Sequence, residues 1–398
     1  MNLNPTFRNS AGAVIPAAPA FSFSEIRNAE KTDITFSSTM QTTSSRLASL
    51  DILRGLTLFL LVFFQPVLWA LLSPVDADWS RAVLHHFDHE VWEGFRFWDL
   101  VMPLFLFMSG ASMPFSFGKM LREGGKMAVV RKVIRRFFIL FLLGMVVQGN
   151  LLGLDLAHIY IYTNTLQAIA AGYLLTALVM LFFDKKGRWA ALVVLLLAYS
   201  LPMMWCGDFS LEGNLASRMD AAVLGRFQGD PTYAWLLPSF TFGVTVLLGA
   251  LAGDIIREGR NLSDRRRVSL RLLSFGLLLV VLGLGFSFAM PIVKRIWTAS
   301  MALYSGGLCM LLLAAFYEVI DVRGHHRAVD WLKIYGMNSI AAYMLGEVIN
   351  FRSVVDSVSY GLAPRLGDYY PAWLTFGNFV LVFLILWCMY RSKIFLKV

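Results

Sequence analysis

Charge is scarce in this sequence. Only 15% of its 398 residues are Asp, Glu, Lys or Arg, where an ordinary soluble domain carries about 25%. That shortage excludes a soluble globular domain. A disordered chain is excluded too, because disorder needs low hydrophobicity. Cysteine is scarcer still, and Cys206, Cys309 and Cys388 stand far apart. Three scattered thiols exclude a disulfide framework and a cysteine zinc site. What is abundant is apolar: 57% of the residues are hydrophobic, with 32 Phe, 18 Met and 11 Trp, and the mean hydropathy is +0.62. The fold class is an all-α polytopic integral membrane protein.

A helix needs about 20 mostly apolar residues to cross the hydrocarbon core. That rule predicts about ten transmembrane helices, near 56–73, 99–117, 137–153, 161–183, 189–206, 233–254, 272–290, 298–320, 334–351 and 371–390. With both termini cytoplasmic, 27 of the 35 Lys and Arg residues fall in inner segments. This is a clear positive-inside pattern. It accounts for the net charge of +9 without nucleic-acid binding. Residues 1–43 are rich in Ser, Thr, Ala and Pro and hold no span-length apolar run. They are expected to form a disordered cytoplasmic tail ahead of a membrane domain over 44–398.

Polar side chains at membrane depth are costly, so they point to function by default. Four places hold them. Asp51 and Arg54 share a helix face at the cytoplasmic start of the first span; they form either an interfacial ion pair or a cationic mouth for an anionic cofactor. In the outer loop 85–99, His85, His86 and His89 stand among Asp88, Glu90, Glu93 and Asp99. A histidine beside carboxylates suits a general base. The spacing matches no standard metal motif, so no metal is expected. The third place is Tyr162, Asn164, Thr165 and Gln167. The fourth is Asn338, Ser339, Tyr343 and Glu347, which face either a wet cavity or neighbouring helices.

At these residues the sequence resembles the transmembrane acetyltransferase family of heparan-α-glucosaminide N-acetyltransferase and its bacterial relatives. The likeness runs from about Arg46 to Val398. It is carried by Arg46, Ser49, Asp51, Arg54, Gly55 and Leu56, then by His89, Trp92, Gly94, Asp99, Leu100, Val101, Pro103, Phe105, Phe107 and Gly110. Leu166 and Gln167 follow, then Ile296, Trp297, Thr298 and Ser300, then Gly336 to Ile340 with Tyr343, and last Tyr390 to Lys397. Gln65, Ala168 and Gly346 depart from the animal enzyme's pattern, and they bear on the acceptor rather than on the fold.

The resemblance implies acetyl transfer from cytosolic acetyl-CoA to an amino sugar or glycan on the periplasmic side of a bacterial inner membrane. His89 would be the base or the nucleophile, with Asp99 orienting it. An oxyanion needs donors, and Asn338, Gln65 and Ser339 are candidates. Trp92, Gln167 and Glu347 join Gln65 and Ser339 as candidate substrate-binding residues. Arg54, Arg135 and Arg136 are candidates for the CoA phosphates, since arginine suits phosphate; simple cytoplasmic anchoring is the other reading. Membrane lipid is an expected partner, and relatives suggest a homodimer. Two other functions stay open: O-acylation of a periplasmic glycan by the same donor, and secondary transport of a sugar or small solute.

Overall fold

The computed structural model describes residues 47–259 and 265–396. The expected tail 1–43 and the motif residue Arg46 lie outside the described residues. Within them every regular element is a helix, apart from one isolated bridge between Glu93 and Val293. That is what an apolar solvent demands, because a helix satisfies its own backbone.

In chain order the helices are α1 (Ala48–Phe59), α2 (Gln65–Leu72), α3 (Asp78–His86), α4 (Val101–Ala111), α5 (Met113–Val147), α6 (Thr165–Phe182), α7 (Lys185–Cys206) and α8 (Leu215–Leu224). Then come α9 (Ser239–Glu258), α10 (Arg265–Phe286), α11 (Ala299–Phe316), α12 (Leu332–Met337), α13 (Ser339–Val348), α14 (Arg352–Ser359), α15 (Ala363–Leu366) and α16 (Tyr370–Arg391). A π-helical turn at Leu60–Phe64 joins α1 to α2.

Among the described residues seven stretches are long and apolar enough to cross a membrane: Ala48–Leu72, Thr165–Phe182, Lys185–Cys206, Ser239–Glu258, Arg265–Phe286, Ala299–Val322 and Arg352–Arg391. The other three expected spans are interrupted. Residues 99–117 divide between a 3-10 turn, α4 and the start of α5. Residues 137–153 hold the end of α5, just after Arg131, Lys132, Arg135 and Arg136. Residues 334–351 break at Asn338, whose φ of −117° and ψ of 42° separate α12 from α13.

Helix α9 is the centre of the bundle. It packs against α4, α6, α7 and α11, and 83% of its most apolar window is buried. Small residues allow this, as they do in membrane bundles generally. A Cβ on Gly249 would lie 1.9 Å from the Phe107 carbonyl oxygen of α4. Helix α1 crosses α12 in the same way, with Gly55 against Gly336.

The connecting segments gather at one end. Trp92 Nε1 donates to the Phe209 carbonyl at 2.9 Å. Backbone N–H groups of Gly94, Ile161 and Ala234 donate to the carbonyls of Ile292, Phe227 and Arg295. The loops that charge patterning assigns to the outer side therefore form one layer. It carries the candidate site.

Candidate active site

The loop 87–99 folds around one carboxylate. Asp99 sits in the 3-10 turn Phe97–Leu100, directly ahead of α4, and is fully buried. Its Oδ2 accepts the backbone N–H of Arg96 at 3.0 Å and of Glu90 at 3.2 Å. Its Oδ1 accepts from His89 Nδ1 at 2.9 Å and from Lys294 Nζ at 3.1 Å. Burial pushes the Asp99 pKa up, but the His89 hydrogen bond, the Lys294 charge and the two backbone donors outweigh it and hold it at about 2. Asp99 is an ionised acceptor at neutral pH.

Two further contacts shape the loop. Arg96 grips Glu90 bidentately, at 2.8 and 3.0 Å. This hydrogen-bonded guanidinium holds Glu90 below the usual carboxylate range. Gly94 adopts φ 129°, a backbone region that side chains disfavour. Its N–H reaches the Ile292 carbonyl at 2.9 Å. That contact brings in the loop before α11, and with it Lys294.

Lys294 lies 205 residues from His89 in sequence, and its Nζ stands 2.7 Å from His89 Nδ1. Its side chain is only 6% exposed. Burial pushes its pKa down to about 8, against the pull of Asp99. The His89 side chain is 41% exposed and borders a cavity of about 700 Å³. Lys294, Gln148, Asp230, Tyr233 and Glu347 line the same space. An ionised carboxylate only accepts, so the proton of the His89–Asp99 contact is assigned to Nδ1. The lone pair left to react is on Nε2.

Several of the other candidate residues hold main-chain atoms. Gln65 Nε2 and Trp69 Nε1 both donate to the Phe87 carbonyl at 3.3 Å, pinning the start of the His89 loop. Trp92 binds the 209 segment. Gln167 is buried and spends its amide on main chain: it accepts from the N–H of Thr163 and Asn164 and donates to the carbonyls of Phe141 and Ile161. Asn338 is also buried, and its amide holds Ile394 O and Leu396 N, each at 3.1 Å. Ser339 opens α13 and does not line the cavity. Arg54 lies 3.6 Å from Asp51, Arg136 stacks over Tyr173 at 4.3 Å, and Arg135 is exposed. None of these three arginines lines the His89 cavity. Among the described residues no group of three His, Cys, Asp or Glu side chains could hold a metal ion.

The structure thus brings His89, backed by the buried Asp99, and Glu347 to one space. It adds Lys294, Asp230 and Tyr233, which the sequence reading did not select. The one signal for Lys294 was its place two residues before the Ile296-Trp297-Thr298 segment.

The catalytic-domain model of heparan-α-glucosaminide N-acetyltransferase matches residues 46–285. That covers the His89–Asp99 loop and well over half of the chain. The chain belongs to that family. Two heparan-α-glucosaminide N-acetyltransferases are similar to it along most of its length. The human protein is 25% identical over 375 residues, covering 76% of this chain and 53% of its own length. The mouse protein is 24% identical over 378 residues, covering 78% and 55%. The chain spans about half the length of the curated relatives it matches. Membership and the seven apolar helices together make this heparan-α-glucosaminide N-acetyltransferase family member an integral membrane protein.

Proposed function

We propose that the chain moves an acetyl group from cytosolic acetyl-CoA to an amino sugar on the far side of the membrane, with His89 as base or nucleophile. The observation that carries this reading is His89 on the wall of a 700 Å³ cavity, with Asp99 buried 2.9 Å behind its Nδ1. In this reading the ten-span topology holds, with both termini cytoplasmic and the His89 layer outside. The inner membrane of a bacterium is the proposed location.

Two routes use the same atoms. As base, Nε2 takes a proton from the acceptor amine while its nitrogen attacks the thioester carbonyl. The C–S bond then breaks, and the proton passes to the departing thiolate. As nucleophile, Nε2 attacks first and CoA leaves as the thiolate. The acetyl-imidazolium keeps its Nδ1 proton against the ionised Asp99; when the amine attacks, the acetyl–Nε2 bond breaks and the amine proton passes to the thiolate. Asp99 supports both routes by fixing the ring.

The cavity suits an amino sugar. Asp230 and Glu347 offer carboxylates to an ammonium. Tyr233 and Trp235 stack with their planes 23° apart and offer an aromatic face to a sugar ring. Arg54, Arg135 and Arg136 are the proposed docking groups for the CoA phosphates at the opposite, basic end.

The test uses purified protein in detergent with radiolabelled acetyl-CoA and glucosamine. Parent protein should release CoA and form N-acetylglucosamine, and folded His89→Ala should do neither. A parent that neither binds acetyl-CoA nor releases CoA overturns the reading.

A further inference from the structure

Ile296, Trp297, Thr298 and Ser300 carry family resemblance, yet acetyl transfer alone gives them no task. None of the four lines the cavity. They and their neighbours instead fasten the backbone around Lys294. Ser300 Oγ donates to Pro291 O at 2.9 Å. The N–H groups of Gly94, Thr298, Trp297 and Ala234 donate to the carbonyls of Ile292, Val293, Lys294 and Arg295, in that order. Tyr199 Oη donates to Ile296 O, and Thr241 Oγ1 to Trp297 O, each at 2.7 Å. Each carbonyl from Pro291 through Trp297 therefore has a donor. Trp297 also adopts φ 44°. Such a conformation in a bulky residue persists only where the surroundings enforce it, and it clusters at functional sites.

This frame presents one buried cation. Lys294 Nζ is 2.7 Å from His89 Nδ1 and 3.4 Å from Nε2. Proximity to both nitrogens excludes the in-plane lone-pair direction of Nδ1, which points away from Nε2. The ammonium flanks the ring and shares Asp99 Oδ1 with the Nδ1 proton. With a pKa of about 8 it is still charged at neutral pH.

We propose that Lys294 is a positioning residue for His89: held by the 291–300 frame, its ammonium keeps the imidazole neutral and keeps Asp99 as the acceptor of the Nδ1 proton. The proposal rests on His89 being the reacting base or nucleophile. A like charge against the ring opposes a second ring proton. The Nε2 lone pair is then left free to react. The other ionisable groups around the site are Asp88 and Arg295, Glu90 and Arg96 beside Asp99, and Asp230, Glu347, Tyr160, Tyr233 and Tyr343 around the cavity. They are unchanged in the variants below.

The full chain in detergent is assayed for acetyl transfer to glucosamine across pH, with Lys294→Met, Lys294→Gln and Lys294→Arg. Two neutral variants guard against one failing to fold. In a folded neutral variant the acid limb of kcat should move upward by about one pH unit or more. That is about tenfold in rate on the limb, with the acetyl-CoA KM held within about threefold. Lys294→Arg should keep the limb near its parental position. A folded neutral variant whose acid limb coincides with the parent's overturns the proposal, and so does a limb displaced equally in Lys294→Arg. A merely structural lysine would lower the melting temperature without moving the limb. If the parent transfers no acetyl, or His89→Ala transfers as well as the parent, the acetyl-transfer reading itself fails, a result distinct from either.

Discussion

Gly55 and Gly336 meet where α1 crosses α12. A Cβ on Gly55 would lie 1.9 Å from the Leu332 carbonyl oxygen, and a Cβ on Gly336 would lie 1.9 Å from that of Asp51. Each glycine lets the other helix's backbone approach. Neither can take a side chain unless the helices part.

Gly336→Val should therefore destabilise the protein at or above the roughly 1–3 kcal/mol of core overpacking. Gly285→Val is the matched control, because nothing lies within 4 Å of its Cβ position. It should change stability by less than about 0.5 kcal/mol. Thermal unfolding in detergent compares the two. Equal melting temperatures would remove the crossing as the explanation.

Asp99→Asn tests the dyad. The carboxylate accepts on both oxygens, and an amide accepts on only one. With its oxygen kept toward the Glu90 and Arg96 N–H groups, its NH2 faces His89 Nδ1. The ring proton then belongs on Nε2, and the reacting lone pair is lost. The expected outcome is a fall in kcat of about 10²- to 10⁴-fold, with acetyl-CoA binding retained. Rate and binding are measured on the same preparation.

The readable part of the site was the local part. His89 and Asp99 lie ten residues apart in one loop, so the histidine and its carboxylate stood together in the sequence. Lys294 joins them across 195 and 205 residues. No local pattern carries such a contact. Gln167 and Asn338 stand out in the sequence as polar groups in apolar runs, and both are buried. Their partners are main-chain atoms, and a side chain's type does not say whether it serves the chain or a substrate. Asn338 also shows why counting spans by hydropathy overlooks breaks. One non-helical residue separates α12 from α13, yet it barely alters the mean over a window.

Asn338→Ala separates those two uses of an amide. Its loss leaves Ile394 O and Leu396 N without their partner. The expected cost is about 1–3 kcal/mol in unfolding free energy, with kcat within about threefold. Deleting residues 393–398 should lower stability similarly, and the two changes together should not add. A kcat loss near 100-fold at unchanged melting temperature would instead restore Asn338 as an oxyanion donor.

The last prediction concerns pH and stability. Lys294 keeps a pKa of about 8 in the fold, against 10.5 as its ordinary value. The unfolded chain therefore holds this proton up to about pH 10.5, and the folded chain releases it near 8. Between those values the unfolded state binds more protons, so stability rises with pH. Below pH 8 both states are protonated, and the fold bears the whole burden of burying an ammonium, roughly 3 kcal/mol for this shift. Asp99 runs the other way. Its depressed pKa of about 2 adds stability above about pH 4, lost as pH falls through 2. Lys294→Met isolates the first effect. Unfolding measured from pH 7 to 10.5 should show the parent gaining on the variant above pH 8, while Asp99 stays ionised in both. Parallel curves across that window would mean that the lysine titrates at its ordinary value, and that burial does not set its charge.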